Sequence, residues 1–396
     1  VAGPGGAIRP TPSPDGRMLA FVKRVRFEST IFLLDLESRQ ERPLIGGLDR
    51  DLQETWAIHG VYPTMAWTPD SASLVYWAGG KIRRVDVESG ESRVIPFKVQ
   101  ARHTMLEALH FGQDIAQPTF KTRMLRWIQA SPKGDLAVFQ ALGYLWIREL
   151  PEGKPRRLTR QQEHYELYPA FSRDGRLIVY TTWNDQELGT VRVIPVTGGA
   201  SRVLSSEPGL YVEPAFSPDG ERVVFRKTEG GYLTSPAWSG DPGTYQVPVK
   251  GGKPELVTKN GRQPQFGSKG DRIFLRAREG EDKQALISVD LRGGEKRTHV
   301  LTDWGTEFAV SPDGLWVAFT ERFNAYVAPL PETGKAISLG PGTKSLPLKR
   351  VSRDAGEGLH WSGDSATLYW SLGPELFERR LEEAFTFLEN DPEEAA

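Results

Sequence analysis

The residue types that could perform chemistry are few in this sequence, and none of them stands in a recognised catalytic pattern. The chain has no cysteine, which excludes disulfides, zinc-thiolate sites and thiol nucleophiles. It has six histidines, but neither a His-x-His pair nor an HExxH motif. His103 and His110 are seven residues apart, about 10 Å along a helix, which is too far for one metal ion. Nucleophile-elbow and phosphate-loop motifs are also absent. The sequence therefore predicts no catalytic residue, metal or cofactor, and leaves enzymatic activity undecided.

Charge and composition exclude further classes of function. Fifty basic and 51 acidic residues give a formal net charge of -1, whereas a nucleic-acid-binding protein usually has a basic excess. Apolar residues make up 38% of the chain and aromatic residues 10%, which suits a globular protein with a large core. No apolar run approaches the roughly 20 residues that span a bilayer. We therefore expect that the protein neither binds nucleic acid nor inserts into a membrane.

A four-residue phrase, Ser-Pro-Asp-Gly in its full form, recurs about every 50 residues along the chain. It suits a type I turn closed by a left-handed glycine, which joins two antiparallel strands. The third position is Asp in six copies but Lys133 and Lys269 in the others, so a turn-forming role is favoured over a metal-binding one. The copies are Ser13–Gly16, Thr68–Ser71, Ser131–Gly134, Ser172–Gly175, Ser217–Gly220, Gly267–Gly270, Ser311–Gly314 and Ser362–Ser365.

Each copy of the phrase lies between short apolar segments and is followed by two further strand-like segments. Four antiparallel strands per repeat match one blade of a β-propeller. The sequence therefore predicts an all-β fold, a single propeller over residues 1–396 with eight four-stranded blades. Seven blades is the alternative if the copy at Gly267–Gly270 is not independent. Ring closure is expected to pair the first repeat with the last, because a closed ring leaves no unpaired edge.

Two segments interrupt the repeat. Residues 99–122 have room for one or two helical turns around 102–109. At the C-terminus, residues 375–388 carry apolar residues at helical spacing, but their position in the repeat favours the strands of the last blade. The acidic stretch 389–394 suits a linker or a free end.

The repeats resemble the TolB-type propeller repeat over essentially the whole chain. Residues 49–70 and 80–97 are in addition similar to the N-terminal propeller of large bacterial amidohydrolases. That resemblance implies a non-catalytic propeller that docks on, or gates access to, a metal-dependent hydrolase domain supplied elsewhere, because these 396 residues contain no such barrel. The TolB resemblance alone implies a free-standing periplasmic protein-interaction scaffold. A lactonase-like propeller enzyme is a third alternative. Both resemblances imply a periplasmic or secreted location.

The loops that enter the innermost strands of a propeller form one mouth of its channel, so residues before each first strand are the predicted ligand-facing set. Such a rim could hold a peptide or a small molecule, or contact a protein partner. The alternative is that its aromatic residues pack between blades. The predicted binding residues are Trp56, His59, Tyr62, Glu163, His164, Tyr165, Tyr168, Tyr211, Glu213, Trp304 and His360, with Arg123, Arg126, Glu166, Glu307 and Glu357 nearby in the sequence.

Overall fold

A computed structural model describes residues 6–25, 28–48, 64–105, 107, 112, 115–230 and 238–385. The regular secondary structure of these residues is β-strand, apart from one helical turn, α1 (Leu381–Ala384). The contacts divide the chain into two units. The first comprises Val1–Thr119 and Gly230–Trp238, and the second comprises Phe120–Glu229 and Ser239–Ala396.

The first unit contains two antiparallel sheets of four strands each. Apolar side chains from both sheets pack together, among them Ile31, Leu74 and Val85, all fully buried. The strands are β1 (Ile8–Pro12), β2 (Met18–Val25), β3 (Glu28–Asp35), β4 (Glu41–Ile45), β5 (Met65–Trp67), β6 (Ser73–Ala78), β7 (Lys81–Asp86) and β8 (Ser92–Val94).

The second unit contains six sheets, which we number third to eighth in chain order. The third to fifth sheets consist of β9 (Arg126–Ala130), β10 (Leu136–Ala141), β11 (Tyr144–Glu149), β12 (Arg156–Arg157), β13 (Tyr165–Phe171), β14 (Leu177–Trp183), β15 (Val191–Pro195), β16 (Arg202–Val203), β17 (Leu210–Phe216), β18 (Arg222–Thr228), β19 (Gly243–Pro248) and β20 (Glu255–Thr258).

The sixth to eighth sheets consist of β21 (Arg262–Phe266), β22 (Arg272–Glu279), β23 (Lys283–Asp290), β24 (Arg297–Thr302), β25 (Gly305–Val310), β26 (Trp316–Glu321), β27 (Asn324–Pro329), β28 (Ile337–Ser338), β29 (Lys349–Arg350), β30 (Glu357–Trp361), β31 (Thr367–Leu372) and β32 (Glu375–Arg380). Strand β28 pairs parallel to β24 at the edge of the sixth sheet, whereas β29 completes the seventh. The eighth sheet has three strands in the part of the chain that the structure describes.

The turn phrase builds these hairpins by local bonds. In the copy at Ser172, the serine hydroxyl donates to Asp174 (2.6 Å), and the same carboxylate oxygen accepts from the backbone N–H of Arg176 (3.0 Å). Gly175 closes the turn at a φ of 72°, which glycine adopts without strain. Where Lys133 replaces the aspartate, Asp135 accepts from the Ser131 hydroxyl instead (2.6 Å). The turn therefore persists without its usual acid, as expected for a structural role.

The six sheets of the second unit form a closed ring. Their innermost strands lie next to each other in the order β9, β13, β17, β21, β25 and β30, and β30 lies next to β9 again. The eighth sheet thus has the seventh and the third as its two neighbours. The prediction that closure pairs the first repeat with the last is wrong. Both faces of the last sheet are already used inside this unit.

Apolar clusters fill the spaces between neighbouring sheets of the ring. Tyr180 and Leu145 are buried between the third and fourth sheets, and Phe225 and Val193 between the fourth and fifth. The cluster at the closure, around Ile128, is the smallest. Each sheet therefore buries both faces, and the ring is held by hydrophobic contact between blades.

The fold class predicted from the sequence, an all-β propeller, is confirmed. The described residues form eight sheets, the same number as the turn phrases, but six of these sheets close into a ring by themselves, so a single propeller of eight blades is not confirmed. The copy at Gly267–Gly270 has a sheet of its own, so the reason for expecting seven is removed. Residues 375–380 form a strand, as expected, but the chain then makes a helical turn. Within 102–109, the described residues 102–105 and 107 form no helix, and the others lie outside the described residues.

Candidate ligand site in the central channel

The inner strand of every sheet in the ring shifts its register against the second strand. In five sheets the residue four positions before the turn phrase lies at this bulge and has a φ between 49° and 68°. In the seventh sheet the shift falls just before the equivalent residue, Glu307. Because a bulge redirects the chain at this level, the six residues form one ring at the channel, to which Gly358 contributes its backbone only. We call it the mouth ring, and its members are Trp127, Tyr168, Glu213, Gln263, Glu307 and Gly358.

The mouth ring lines a cavity of about 600 Å³ inside the second unit. A further cavity of about 240 Å³ lies toward the turn phrases, and Phe171, Phe216 and His360 line both. The two cavities are therefore consecutive parts of one channel. A concave space of this size, lined by apolar side chains and a few polar groups, is typical of a ligand site.

Two aromatic residues of the mouth ring face each other. The ring centroids of Trp127 and Tyr168 are 4.2 Å apart, and both side chains are partly exposed. Burial raises the pKa of Tyr168, and the charge of Glu213 adds to the effect. The phenol is therefore a neutral hydrogen-bond donor beside an aromatic surface.

A charged pair lies beside the aromatic pair. Arg226 donates to both carboxylate oxygens of Glu213, at 2.8 and 3.3 Å. Glu213 also accepts the backbone N–H of Gln263 at 2.8 Å, which links the fifth sheet to the sixth. The two charged side chains keep about a fifth of their surface exposed. Two-point bonding holds the pair in place, and Glu213 is the member of the pair that lines the cavity.

Glu307 is occupied by the backbone of the next sheet. Its two oxygens accept the N–H groups of Gly358 (3.0 Å) and Leu359 (2.8 Å). Burial raises the pKa of this carboxyl to about 7, although the two N–H bonds favour the ionised form. Because both oxygens accept N–H groups of β30, the Glu307 carboxyl joins the seventh sheet to the eighth.

His360 forms the corresponding link at the ring closure. Its Nε2 accepts the backbone N–H of Ala130 at 2.7 Å, so Nδ1 carries the proton and donates to the carbonyl of Gly358 at 2.7 Å. Burial lowers the pKa of the imidazole to about 4, and the ring therefore stays neutral. With both nitrogens bonded to backbone, His360 has no free donor or acceptor for a ligand.

The structure divides the predicted binding residues. Tyr168, Glu213 and His360 line the cavity, as do Arg126, Glu307 and Glu357. Tyr211 is 3% exposed, donates to the carbonyl of Glu207 (2.6 Å) and packs edge-on against Phe225 between sheets. The predicted residues that do not line the cavity are Glu163, His164, Tyr165, Tyr211 and Trp304, and those that lie outside the described residues are Trp56, His59 and Tyr62.

The residues away from the cavity have other surroundings. Tyr165, at the start of β13, and Trp304, in the loop between β24 and β25, are largely exposed. Burial lowers the pKa of His164, and the nearby guanidinium of Arg192 acts in the same direction. Glu166 is fully buried and accepts the backbone N–H of Leu145 at 2.7 Å. These side chains are part of the blade structure or of its outer surface.

The sequence analysis did not select Trp127, Gln263 and Arg226. Trp127 and Gln263 could have been found by counting four residues back from each turn phrase, because the count is the same in all six sheets. Arg226 lies on a second strand, opposite Val212 and near Glu213, and only the strand pairing places it at the mouth.

Comparisons with known proteins give limited similarity. No protein-family model matches the chain. The Tol-Pal system protein TolB of Francisella tularensis subsp. mediasiatica (strain FSC147) is 30% identical over 73 residues, which is 18% of this chain and 17% of that protein. The solved TolB from Acinetobacter baumannii aligns with a TM-score of 0.46 at 14% identity, covering 87% of this chain and 82% of that chain. For oligogalacturonate lyase from Vibrio parahaemolyticus the TM-score is 0.41 at 10% identity, covering 95% and 89%. None of these three similarities assigns a function to this chain.

The class of protein follows from the ring itself. Six sheets around a channel define the second unit as a β-propeller, a fold that carries both binding proteins and enzymes. In the part of the chain that the structure describes, no group of three or more His, Asp or Glu side chains could hold a metal ion. No helix among the described residues is long and apolar enough to cross a membrane. The site is therefore best described as a channel mouth with aromatic, charged and amide side chains.

Proposed function

We propose that this protein is a propeller scaffold that binds a peptide segment of a partner protein at the channel mouth. The observation that carries the proposal is the mouth ring, which brings an aromatic pair, the carboxylate of Glu213 and the amide of Gln263 together around a cavity of about 600 Å³. Large aromatic residues beside arginine are the side chains that contribute most to protein-protein binding.

The chemistry of the mouth suits recognition better than catalysis. Glu307 and His360, the two residues with strongly shifted pKa values at the cavity, both bond to backbone groups and are not free to exchange protons with a substrate. Trp127 and Tyr168 present two partly exposed aromatic rings to the cavity. Arg126, which lines the same cavity, could bond to the backbone carbonyls or the acidic side chains of a peptide.

Selection of peptides from a displayed random library on the immobilised protein would test the proposal. We expect the selected peptides to bind the double variant Trp127→Ala/Tyr168→Ala at least tenfold more weakly, because an interface anchor typically contributes more than about 1.4 kcal/mol. The matched control is Tyr165→Ala/Trp304→Ala, which removes two exposed aromatic residues outside the cavity. Equal binding to both double variants, or no selected peptide, would contradict a site at the mouth.

The identity of the partner is a finer proposal and rests on the sequence resemblance at 49–70 and 80–97. On that basis the partner is an amidohydrolase-type metal-dependent hydrolase, on which this propeller docks or to which it gates access, in the periplasm or outside the cell. Amide and ester substrates should then not be hydrolysed by this chain alone, with or without divalent metal. Metal-dependent hydrolysis that persists in Trp127→Ala/Tyr168→Ala would contradict the proposal that this chain has only an accessory role.

A further inference from the structure

A second cavity of the propeller unit has a strongly basic lining. It lies between the fifth and sixth sheets and has a volume of about 830 Å³. We call it the basic cleft. Among the described residues that line it there is no acidic side chain. Its seven cationic residues are Arg226, Lys227, Lys259, Arg262, Arg276, Arg278 and Lys296.

Only part of this positive charge is neutralised. Arg226, Lys227 and Lys296 pair with Glu213, Glu207 and Glu279 at 2.8, 3.3 and 2.8 Å. The other four cations of the cleft have no carboxylate within ion-pair distance in the described part of the chain. This excess is local, because the chain as a whole has a formal charge of only -1.

The arginines of the cleft also repel one another. Arg276 is partly buried and donates to the carbonyl of Thr306. Burial lowers the pKa of Arg276, and the charges of Arg262 and Arg226 act in the same direction. An anion between these side chains would relieve the repulsion and replace the lost hydration.

We propose that the basic cleft binds an acidic peptide segment, a stretch of Asp and Glu in a partner protein. The cations are distributed over strands β18, β21 and β22 and over the turns that follow β20 and β23, which suits several anionic groups along a chain better than one small anion. The cleft also offers Asn260 and Gln284 as amide partners for a peptide backbone.

A nucleic acid is a poorer fit to the same cleft. Proteins that hold single-stranded nucleic acid stack its bases on aromatic side chains. The cleft lining has no aromatic residue within the described ranges. Arg226 lines the cleft and also bonds to Glu213 of the mouth ring, so the cleft adjoins the mouth. One partner could therefore reach both sites, although the cleft does not need the mouth in order to bind.

Binding of a fluorescently labelled hexaglutamate peptide to the full chain, measured by anisotropy at low salt, would test the proposal. We expect saturable binding that weakens at least tenfold in Lys259→Gln/Arg262→Gln/Arg278→Gln, three exposed positions of the cleft. A hexaglutamine peptide should not bind. The matched control is Lys253→Gln/Lys269→Gln/Arg292→Gln, which removes three exposed cations of the same two sheets outside the cleft.

The outcomes separate the alternatives. If both triple variants weakened hexaglutamate binding equally, the attraction would come from overall charge only, and the proposed site in the basic cleft would be overturned. Tighter binding of a hexameric single-stranded RNA, or full displacement of the peptide by equimolar inorganic pyrophosphate, would overturn the peptide assignment in favour of a phosphate ligand. Trp127→Ala/Tyr168→Ala should leave hexaglutamate binding unchanged, so failure at the mouth and failure at the cleft are distinguishable. Protection of Lys259 from acetylation by bound hexaglutamate gives a readout that needs no variant.

Discussion

Side chains that bond to backbone groups join the inner strands of neighbouring sheets around the channel. Gln265 donates to the carbonyl of Phe308 (2.7 Å) and accepts the N–H of Val310 (2.9 Å). Glu213, Glu307 and His360 make equivalent links at other junctions. The inner strands do not pair with each other as a sheet, so these polar side chains satisfy backbone groups that the bulges leave without a partner.

The stability of the ring closure should depend on pH through His360. Its folded pKa of about 4 lies below the ordinary value of 6.5, so the unfolded chain binds the proton first and stability is lost as pH falls from 6.5 to 4. The loss should be on the order of 2–3 kcal/mol. Glu307 acts in the opposite sense. Its pKa is raised from 4.5 to about 7, so stability is lost as pH rises through that window.

Thermal unfolding of the wild type, His360→Gln and Glu307→Gln between pH 4 and pH 8 separates the two effects. At pH 7.5 we expect His360→Gln to be about 1 kcal/mol less stable than the wild type, because the amide replaces the imidazole bonds imperfectly. This difference should shrink or reverse at pH 4. Parallel pH profiles for the wild type and His360→Gln would show that the imidazole is not kept neutral.

Residue-level features of the site were only partly predictable. The sequence analysis selected Tyr168 and Glu213 as residues before a first strand, whereas they lie within β13 and β17. Glu163 and Tyr165 satisfy the same rule but lie too early, since the bulge at Tyr168 decides which side chain turns to the channel. A positive φ at Tyr168 or Glu213 has no signature in the residue type, because neither residue favours that conformation.

At the scale of elements, the last sheet depends on aromatic packing from its final strand and the turn that follows. Phe377 of β32 stacks on Trp370 with ring centroids 5.9 Å apart, and Phe385 lies 5.1 Å from Trp316 of the seventh sheet. Both phenylalanines belong to the cluster that fills the space between these sheets. The last sheet is therefore fixed to its neighbour by residues beyond its hairpin.

Removing these two rings should destabilise the propeller unit. We expect Phe377→Ala/Phe385→Ala to lower the free energy of unfolding by about 2–4 kcal/mol, a cost below that of two fully buried rings because both side chains are partly exposed. The measurement is urea unfolding followed by tryptophan fluorescence. Phe323→Ala is the control, because Phe323 is 80% exposed and its loss should change stability by less than about 0.5 kcal/mol. A similar loss in the control would argue against this packing.

The sequence predicted the hairpins well because turn chemistry is local. Each phrase determines its own bend through bonds such as that of Ser311 to Asp313 (2.5 Å). Strand β28 follows β27 of the seventh sheet in the sequence but pairs with β24 of the sixth, and β29 takes the outer position in the seventh sheet. This arrangement depends on pairing between distant segments. No local pattern marks it, so it could not be predicted.

At the scale of the whole molecule, the second unit should be able to fold without the first. Its six sheets close on each other, and its sheets bury both faces within the unit. Between β8 and β9 the described residues form no strand, and Lys98, Arg102, Lys121 and Arg123 are exposed. The chain therefore offers trypsin sites just before the ring.

Limited trypsin digestion should cut within 98–123 and leave a fragment that contains the six-sheet ring. We expect this fragment to unfold in one cooperative transition and to bind hexaglutamate as the full chain does, because the basic cleft lies wholly within it. Mass spectrometry and thermal unfolding of the purified fragment would check this. Complete digestion without a resistant product would contradict independent folding.

The number of sheets could be predicted at this scale, whereas the point of closure could not. Eight similar phrases predict eight sheets, but they are too alike to show which sheets become neighbours. The closure is made by contacts such as Gly363 N–H to the carbonyl of Pro132 (2.8 Å) and Ala130 N–H to His360. These residues are more than 200 positions apart in the sequence. Whether they come into contact depends on the spacing between neighbouring sheets, which the apolar side chains packed between them determine.

The outermost described strand of the eighth sheet carries charges that bear on self-association. Among the described residues β32 pairs with β31 and is the last strand of its sheet, and an outermost strand is where a sheet can template a strand from another molecule. The sequence of this edge, Glu-Leu-Phe-Glu-Arg-Arg, ends in three exposed charged residues. Pairing of this edge with a strand from another molecule would desolvate these charges, which disfavours edge-to-edge aggregation.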